Sequence, residues 1–76
     1  MRTNFEIYII EKVKEIRKEK GISQLELADG IGVSAGFIGK VESSNTSAKY
    51  NLQHLNLIST FLKVSPKNFL PDEPII

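Results

Sequence analysis

Residues 24–43, QLELADGIGVSAGFIGKVES, decide the fold of this chain. Gly32 suits the positive φ angle that turns a backbone sharply, and Ala28 has the small side chain that a close crossing of two short helices requires. The apolar residues of the stretch are Leu27, Ile31, Val33, Ile38 and Val41. We therefore predict two short helices that pack on each other across a tight turn at Gly32.

Capping signals mark helix starts on the amino-terminal side of this stretch. Ser23 and Glu26 have the spacing of a capping box, in which the hydroxyl and the carboxylate each accept a hydrogen bond from a backbone amide. Thr3 and Glu6 have the same spacing. A first helix is therefore expected over about residues 4–20, although the β-forming residues at 5–10 leave its start open.

Each later helix start has an apolar residue immediately before the N-cap and a second apolar residue five positions after the first. This is the spacing of a hydrophobic staple. The caps are Ser34, Asn51 and Ser65, and Pro66 fits the first position of a last helix. A broad apolar stripe is expected on the helix that follows Asn51, made of Leu52, Leu55, Ile58 and Leu62. We predict one all-α domain, residues 1–76, with an acidic, proline-containing tail at 71–76 and five helices near residues 4–20, 24–30, 35–43, 52–62 and 66–70.

Composition excludes several functional classes. The chain has 76 residues, of which 41% are hydrophobic and 25% charged, as in a globular domain, and no apolar run is long enough to cross a bilayer. Without cysteine and with His54 as the one histidine, the sequence offers no thiolate nucleophile and no metal-binding cluster. We expect a cytoplasmic protein that is not an enzyme and has no metal, cofactor or evident small-molecule ligand, with His54 as a capping or surface residue.

The charge distribution points to the second half of the chain. The formal net charge is only +1, a weak argument for a nucleic-acid partner by itself. Residues 31–70, however, carry four lysines against Glu42 as the single acidic residue. We therefore expect a DNA-binding surface in this part of the chain.

The pattern of residues 24–43 resembles the Cro/C1-type (XRE-like) helix-turn-helix family, and the resemblance covers about residues 8–70. It is carried by Ser23, Gln24, Leu27, Ala28, Gly32, Val33, Ser34, Ile38 and Glu42. The resemblance implies a compact, lambda-repressor-like five-helix bundle with its helix-turn-helix at residues 24–43. It also implies sequence-specific binding of double-stranded DNA by major-groove insertion of the helix 34–43, in a small, repressor-like transcriptional regulator. An ion pair between Arg17 and Glu42 is implied as well.

The DNA-binding positions of that family fall here on Gln24, Ser34, Ala35, Gly36, Gly39, Lys40 and Ser43. The Gln24 amide at a helix start suits a phosphate contact, and Lys40 suits a guanine or a phosphate. Lys49 and the hydroxyl groups of the loop after residue 43 are expected to follow the DNA backbone.

The sequence departs from the family at Ala35, Gly36 and Gly39, where relatives often carry polar side chains that hydrogen-bond to bases. The alternative is therefore a helix-turn-helix fold retained as a protein-interaction module, or an antitoxin with weak DNA binding. A homodimer is a further hypothesis, because some apolar residues are not used by the core stripe of the first helix. The candidate interface residues are Phe5, Ile7, Tyr8, Ile75 and Ile76.

Overall fold

The computed structural model describes residues 1–76, and its regular structure is entirely helical. The elements are α1 (Asn4–Glu19), α2 (Gln24–Ile31), α3 (Ala35–Glu42), α4 (Leu52–Leu62) and a 3-10 helix (Pro66–Phe69). Residues 5–10 are therefore helical, and the all-α class predicted from the sequence is confirmed. None of the helices is long and apolar enough to span a membrane.

The predicted count of five helices is slightly off, because the last element is a single 3-10 turn of four residues rather than a full helix. Ser65 caps its start and Pro66 occupies its first turn, as predicted. The turn ends at Leu70, which is extended with φ −104° and ψ 143°. Pro71 follows, and a residue before proline is sterically disfavoured in the helical region, so the turn cannot grow into an α-helix.

Side-chain caps fix the starts of the α-helices where the sequence predicts them. The hydroxyl groups of Thr3 and Ser23 accept from the amides of Glu6 and Glu26, whose carboxylates complete two capping boxes. A third box starts α4, where the amide of Asn51 donates to Nδ1 of His54 at 3.1 Å. The capping role expected for His54 is thus confirmed.

One core joins all the elements. Its buried residues come from every helix: Ile9 and Val13 of α1, Leu27, Ala28 and Ile31 of α2, Ile38 of α3, Ile58 and Leu62 of α4, and Phe69. The apolar residues that precede the later N-caps, which are Ile22, Val33, Tyr50 and Val64, all pack against this core, as the predicted staples require. The domain is thereby closed around α2, which contacts both α3 and α4.

The apolar stripe predicted for α4 extends beyond the core. Ile58 and Leu62 are buried, whereas the Leu52 side chain is 85% exposed. Leu52 is the first residue of α4 and lies one turn before Leu55, which is itself only partly buried. Helical periodicity alone gave Leu52 its place in the stripe, and periodicity does not show where the neighbouring helices end.

Candidate nucleic-acid interface

The turn between α2 and α3 sets the direction of α3. Gly32 ends α2 with φ 76° and ψ 33°, the left-handed conformation that glycine adopts without strain. The amide of Val33 then donates to the carbonyl oxygen of Ala28 at 3.0 Å, which closes a Schellman-type helix end. Ser34 caps α3 immediately afterwards, through a 3.0 Å bond from the Phe37 amide to its hydroxyl. The two short helices are therefore joined rigidly.

Helix α3 presents one face to the core and the other to solvent. Ile38 and Val41 are fully buried and Phe37 is half-buried. Ser34, Ala35, Gly36 and Lys40 are exposed, and Gly39 is half-buried. The residues of α3 predicted to contact DNA thus share one outward face, on which Lys40 is the one charged side chain.

A buried ion pair fixes the carboxyl end of α3 to α1. The Arg17 guanidinium donates to Glu42 through Nε at 2.9 Å and Nη2 at 2.8 Å, with both side chains less than a tenth exposed. Arg17 also donates to the carbonyl oxygen of Ile22 at 2.6 Å. This bidentate geometry supplies the partners that a buried charge requires, and it gives α3 one orientation relative to α1.

Gln24 connects the start of α2 to the same carboxylate. Its Nε2 donates to Oε1 of Glu42 at 3.0 Å, and its Oε1 lies 3.7 Å from where a Cβ on Gly39 would stand. The exposed Gln24 side chain therefore lies along α3 beside the predicted DNA-binding face. One N–H of its amide group has no hydrogen-bond partner in the protein.

Tyr50 lies behind this network with a buried hydroxyl that has no hydrogen-bond partner. Burial raises the pKa of the Tyr50 hydroxyl, and the negative charge of Glu42 raises this pKa further. The ring packs in an aromatic cluster with Phe37 of α3 and His54 of α4, with centroids 6.2 Å and 6.1 Å away. Tyr50 therefore stays neutral and supports α3 from the core side.

Two residues predicted to contact DNA, Ser43 and Lys49, have partners within the protein. The Ser43 hydroxyl accepts from the amide of Asn45 at 3.2 Å. Lys49 pairs with Glu6 at 2.9 Å between Nζ and Oε2. The amide of Thr3 and the ammonium of Lys49 together hold the pKa of Glu6 below its usual value. A phosphate contact by Lys49 would therefore compete with Glu6.

Sequence reasoning missed Arg2, which binds the end of α3 and the loop after it. Its guanidinium donates to the carbonyl oxygens of Lys40, Val41, Ser43 and Ala48 and to the Thr46 hydroxyl. These partners lie 38 to 46 residues away along the chain, so no local pattern indicates them.

The α1 residues proposed for a dimer interface point in different directions around the helix. Ile7 is 43% exposed and lines a groove of about 620 Å³ beside residues 43–47. Phe5 points about 160° away from Ile7 around the helix, given 100° per residue. Tyr8 lies beneath the ammonium of Lys12, which is 5.8 Å from the ring centre. Of these three side chains, Phe5 and Tyr8 are closest in direction, about 60° apart around α1.

Comparison with known proteins agrees with this architecture. A helix-turn-helix family model matches residues 13–69. The HTH-type transcriptional regulator SinR of Bacillus subtilis (strain 168) and that of Bacillus licheniformis are each 33% identical over 63 residues. The match covers 83% of this chain but 56% of each relative, so the chain spans little more than half their length.

A solved structure has the same arrangement of helices. The restriction-modification controller protein C.AhdI from Aeromonas hydrophila superposes with a TM-score of 0.72 at 25% sequence identity. The superposition covers 84% of this chain and 94% of that one. From the family match, the relatives and the turn geometry at Gly32, we conclude that this chain belongs to the helix-turn-helix family.

Proposed function

We propose that this chain binds double-stranded DNA by placing α3 in the major groove and acts as a small, repressor-like transcriptional regulator. The observation that carries the proposal is the outward face of α3, held from behind by Ile38 and Val41 and by the buried pair of Arg17 and Glu42. B-DNA's major groove admits one α-helix. The names of the SinR relatives, transcriptional regulators, support the regulatory role.

The small residues of α3 favour close approach rather than side-chain hydrogen bonds to bases. Ala35, Gly36 and Gly39 bring the helix backbone near base edges and offer van der Waals contact, for example to a thymine methyl group. Lys40 supplies the hydrogen-bond donor that can bind guanine O6 and N7 or a phosphate. Sequence selectivity therefore depends on few groups in each copy of the chain.

Phosphate contacts fix the position of α3 in this proposal. Gln24 is exposed at the start of α2, where backbone amides carry a partial positive charge, and one of its N–H groups is available to a phosphate oxygen. Ser34 at the start of α3, and Ser43 and Lys49 beyond its end, would contact further phosphates, with Lys49 exchanging its pair with Glu6 for a phosphate. These contacts would orient the domain without distinguishing bases.

Because one copy contacts few bases, we extend the proposal to paired binding as a homodimer in the cytoplasm. Two copies on half-sites about 34 to 36 Å apart would double the contacts, and the deformability of the intervening DNA would add selectivity. The relevant measurement compares one half-site with paired half-sites at physiological salt. Selective nanomolar binding of one copy to a lone half-site would contradict this part of the proposal.

Selection of bound sequences from a random duplex pool, followed by substitution of Lys40, tests the proposal as a whole. Lys40→Ala should weaken binding to the selected duplex by about 1 to 3 kcal/mol if it contacts guanine. Lys67→Ala is the matched control, because this lysine lies in the 3-10 helix, which packs on α1 and α4. Equal affinities of both variants and the unmodified chain at low salt would remove Lys40 from the interface.

A protein-interaction module is the second candidate function. It is favoured by the low net charge of +1 and by the small side chains on the outward face of α3, which suit a protein surface as well as DNA. The two candidates differ in salt dependence, since DNA binding releases counterions and weakens steeply as salt rises. A chain that shifts no labelled duplex at any salt concentration would support the module.

A further inference from the structure

Arg2 makes more side-chain hydrogen bonds than any other residue in the structure. Nε donates to a loop carbonyl oxygen and Nη1 donates to the carbonyl oxygen that ends α3. The two N–H groups of Nη2 are shared among three acceptors. The acceptors are the carbonyl oxygens of Ala48 (2.8 Å), Ser43 (2.6 Å), Lys40 (3.0 Å) and Val41 (2.9 Å) and the hydroxyl of Thr46 (3.0 Å). One side chain therefore joins the last turn of α3 to both ends of the loop at residues 43–48.

Helix α3 requires such external support. It has eight residues, two of which are glycines that together cost about 2 kcal/mol of helix propensity relative to alanine. It has no capping box, and it ends at Ser43 in extended backbone rather than at a left-handed glycine. Its last carbonyl groups lack helical partners, and a cation at the carboxyl end of a helix is favourable. The Arg2 guanidinium supplies both the donors and the charge.

Lys40 is the residue on which these bonds converge. Its carbonyl oxygen accepts from Arg2, from the amide of Ser43 at 3.2 Å and from the hydroxyl of Thr46. Thr46 in turn accepts from Arg2, so that both side chains hold the same backbone group. The direction of the Lys40 side chain into solvent is set by this fixed backbone.

We propose that Arg2 is a positioning residue for DNA recognition, which holds the end of α3 and residues 43–48 so that Lys40 meets the base edges in one geometry. The inference rests on the function proposed for α3. Most N–H groups of Arg2 are committed to protein acceptors, so its contribution comes through the position of Lys40 and not through a phosphate contact of its own.

The first test compares Arg2→Ala and Arg2→Lys with the unmodified chain on a selected duplex, and uses Lys67→Ala as the control for loss of one positive charge. Arg2→Ala should bind about tenfold more weakly, the size expected for loss of a helix cap. Arg2→Lys keeps the charge but lacks the planar fork of donors, so it should recover little of the affinity. The salt dependence should stay unchanged, whereas loss of a direct phosphate contact would lower its slope by about one.

Folding and function are separated by a second set of measurements. All affinities are measured at a temperature where circular dichroism shows each variant fully folded. Thr46→Val removes fewer hydrogen bonds than Arg2→Ala and should therefore lower the DNA affinity by a smaller factor. Amide hydrogen exchange of the free protein should show faster exchange at residues 40–48 in Arg2→Ala, with exchange in α4 unchanged. In a double-mutant cycle, Arg2→Ala should have little further effect once Lys40 is alanine.

The outcomes distinguish this inference from the function on which it rests. Full recovery by Arg2→Lys, a reduced salt slope, or additive effects of Arg2→Ala and Lys40→Ala would overturn the positioning role while DNA binding stands. Unchanged exchange at residues 40–48 in Arg2→Ala would also overturn it. An unmodified chain that binds no duplex would overturn both proposals.

Discussion

Helices α2 and α3 have the same length of eight residues and the same type of N-cap, yet they are stabilised in different ways. Helix α2 has a capping box, three buried apolar residues and a left-handed glycine at its end. Helix α3 has no capping box, two glycines and an extended end. Its carboxyl end is held instead by Arg2 and Arg17, which lie far away in the chain.

The difference shows how an exposed binding helix can be kept in place without large side chains of its own. Local signals and apolar packing are sufficient for α2, which lies between α3 and α4. The outward face of α3 consists mainly of small residues, so its stabilising contacts come from the buried Ile38 and Val41 and from charged side chains at its carboxyl end. Substitutions in α2 should therefore change stability mainly through apolar packing, whereas substitutions at the carboxyl end of α3 should change it through ion pairs and hydrogen bonds.

The largest effect is expected at Glu42. Glu42→Gln leaves the buried Arg17 guanidinium without its counter-charge, which should lower the free energy of unfolding by about 3 to 5 kcal/mol. Chemical denaturation measures this loss. Glu15→Gln is the control, since its pair with Lys12 is partly exposed at 3.8 Å and should contribute less than about 1 kcal/mol. Equal losses in the two variants would show that α3 does not depend on the buried pair.

Gly30 tests the packing of α2. A Cβ built there would overlap the aromatic ring of Phe61 in α4. Gly30→Ala should therefore destabilise the fold by about 1 to 3 kcal/mol through overpacking, although alanine is the better helix former. Thermal unfolding gives the sign of the change. A stabilised Gly30→Ala variant would mean that α2 and α4 are not closely packed at this point.

In α3, alanine at position 36 should change the free energy of unfolding in the opposite direction. A Cβ there would have one neighbour within 4 Å, the Ser34 hydroxyl oxygen at 3.9 Å. Gly36→Ala should thus raise the free energy of unfolding by up to about 1 kcal/mol, because alanine has the higher helix propensity. The same thermal unfolding experiment compares it with Gly30→Ala. If both alanines changed stability in the same direction, the contrast between the two helices would be wrong.

The smallest effect on stability is expected at acidic pH, through the carboxylate of Glu6. The backbone amide of Thr3 and the ammonium of Lys49 lower the pKa of Glu6 in the folded chain from its ordinary value of 4.5. Stability from a lowered pKa is present above the unfolded value and is lost as pH falls through the folded value. Glu6→Gln should therefore flatten the decline of the melting temperature below pH 4.5. A decline as steep as that of the unmodified chain would exclude Glu6 as a contributor.

Much of the fold could be predicted because its signals are local. Capping boxes at Thr3 and Ser23 and the turn at Gly32 involve residues a few positions apart, and each appears in the structure where the sequence indicates. The errors lie where one element meets another. Pro71 reduces the last helix to a 3-10 turn, and Leu52 lies beyond the end of the core.

The candidate site was less predictable because polar partners come from distant parts of the chain. The outward positions on α3 follow from helical periodicity once the turn is placed. The contact of Gln24 with Glu42 joins residues 18 positions apart, and Lys49 meets Glu6 across the fold. Arg2 precedes a helix cap and resembles any solvated arginine in the sequence. Only the folded arrangement shows that it binds the end of α3.

The outward face of α3 is proposed to meet DNA, and amide chemical-shift mapping with a selected duplex tests this claim most directly. The largest changes are expected on residues 34–43 and on Gln24, with smaller changes in the loop up to Lys49. Residues 66–69, in the 3-10 helix that packs on α1 and α4, should remain unaffected. Changes centred outside α2, α3 and the loop, or none at saturating duplex, would contradict the claim.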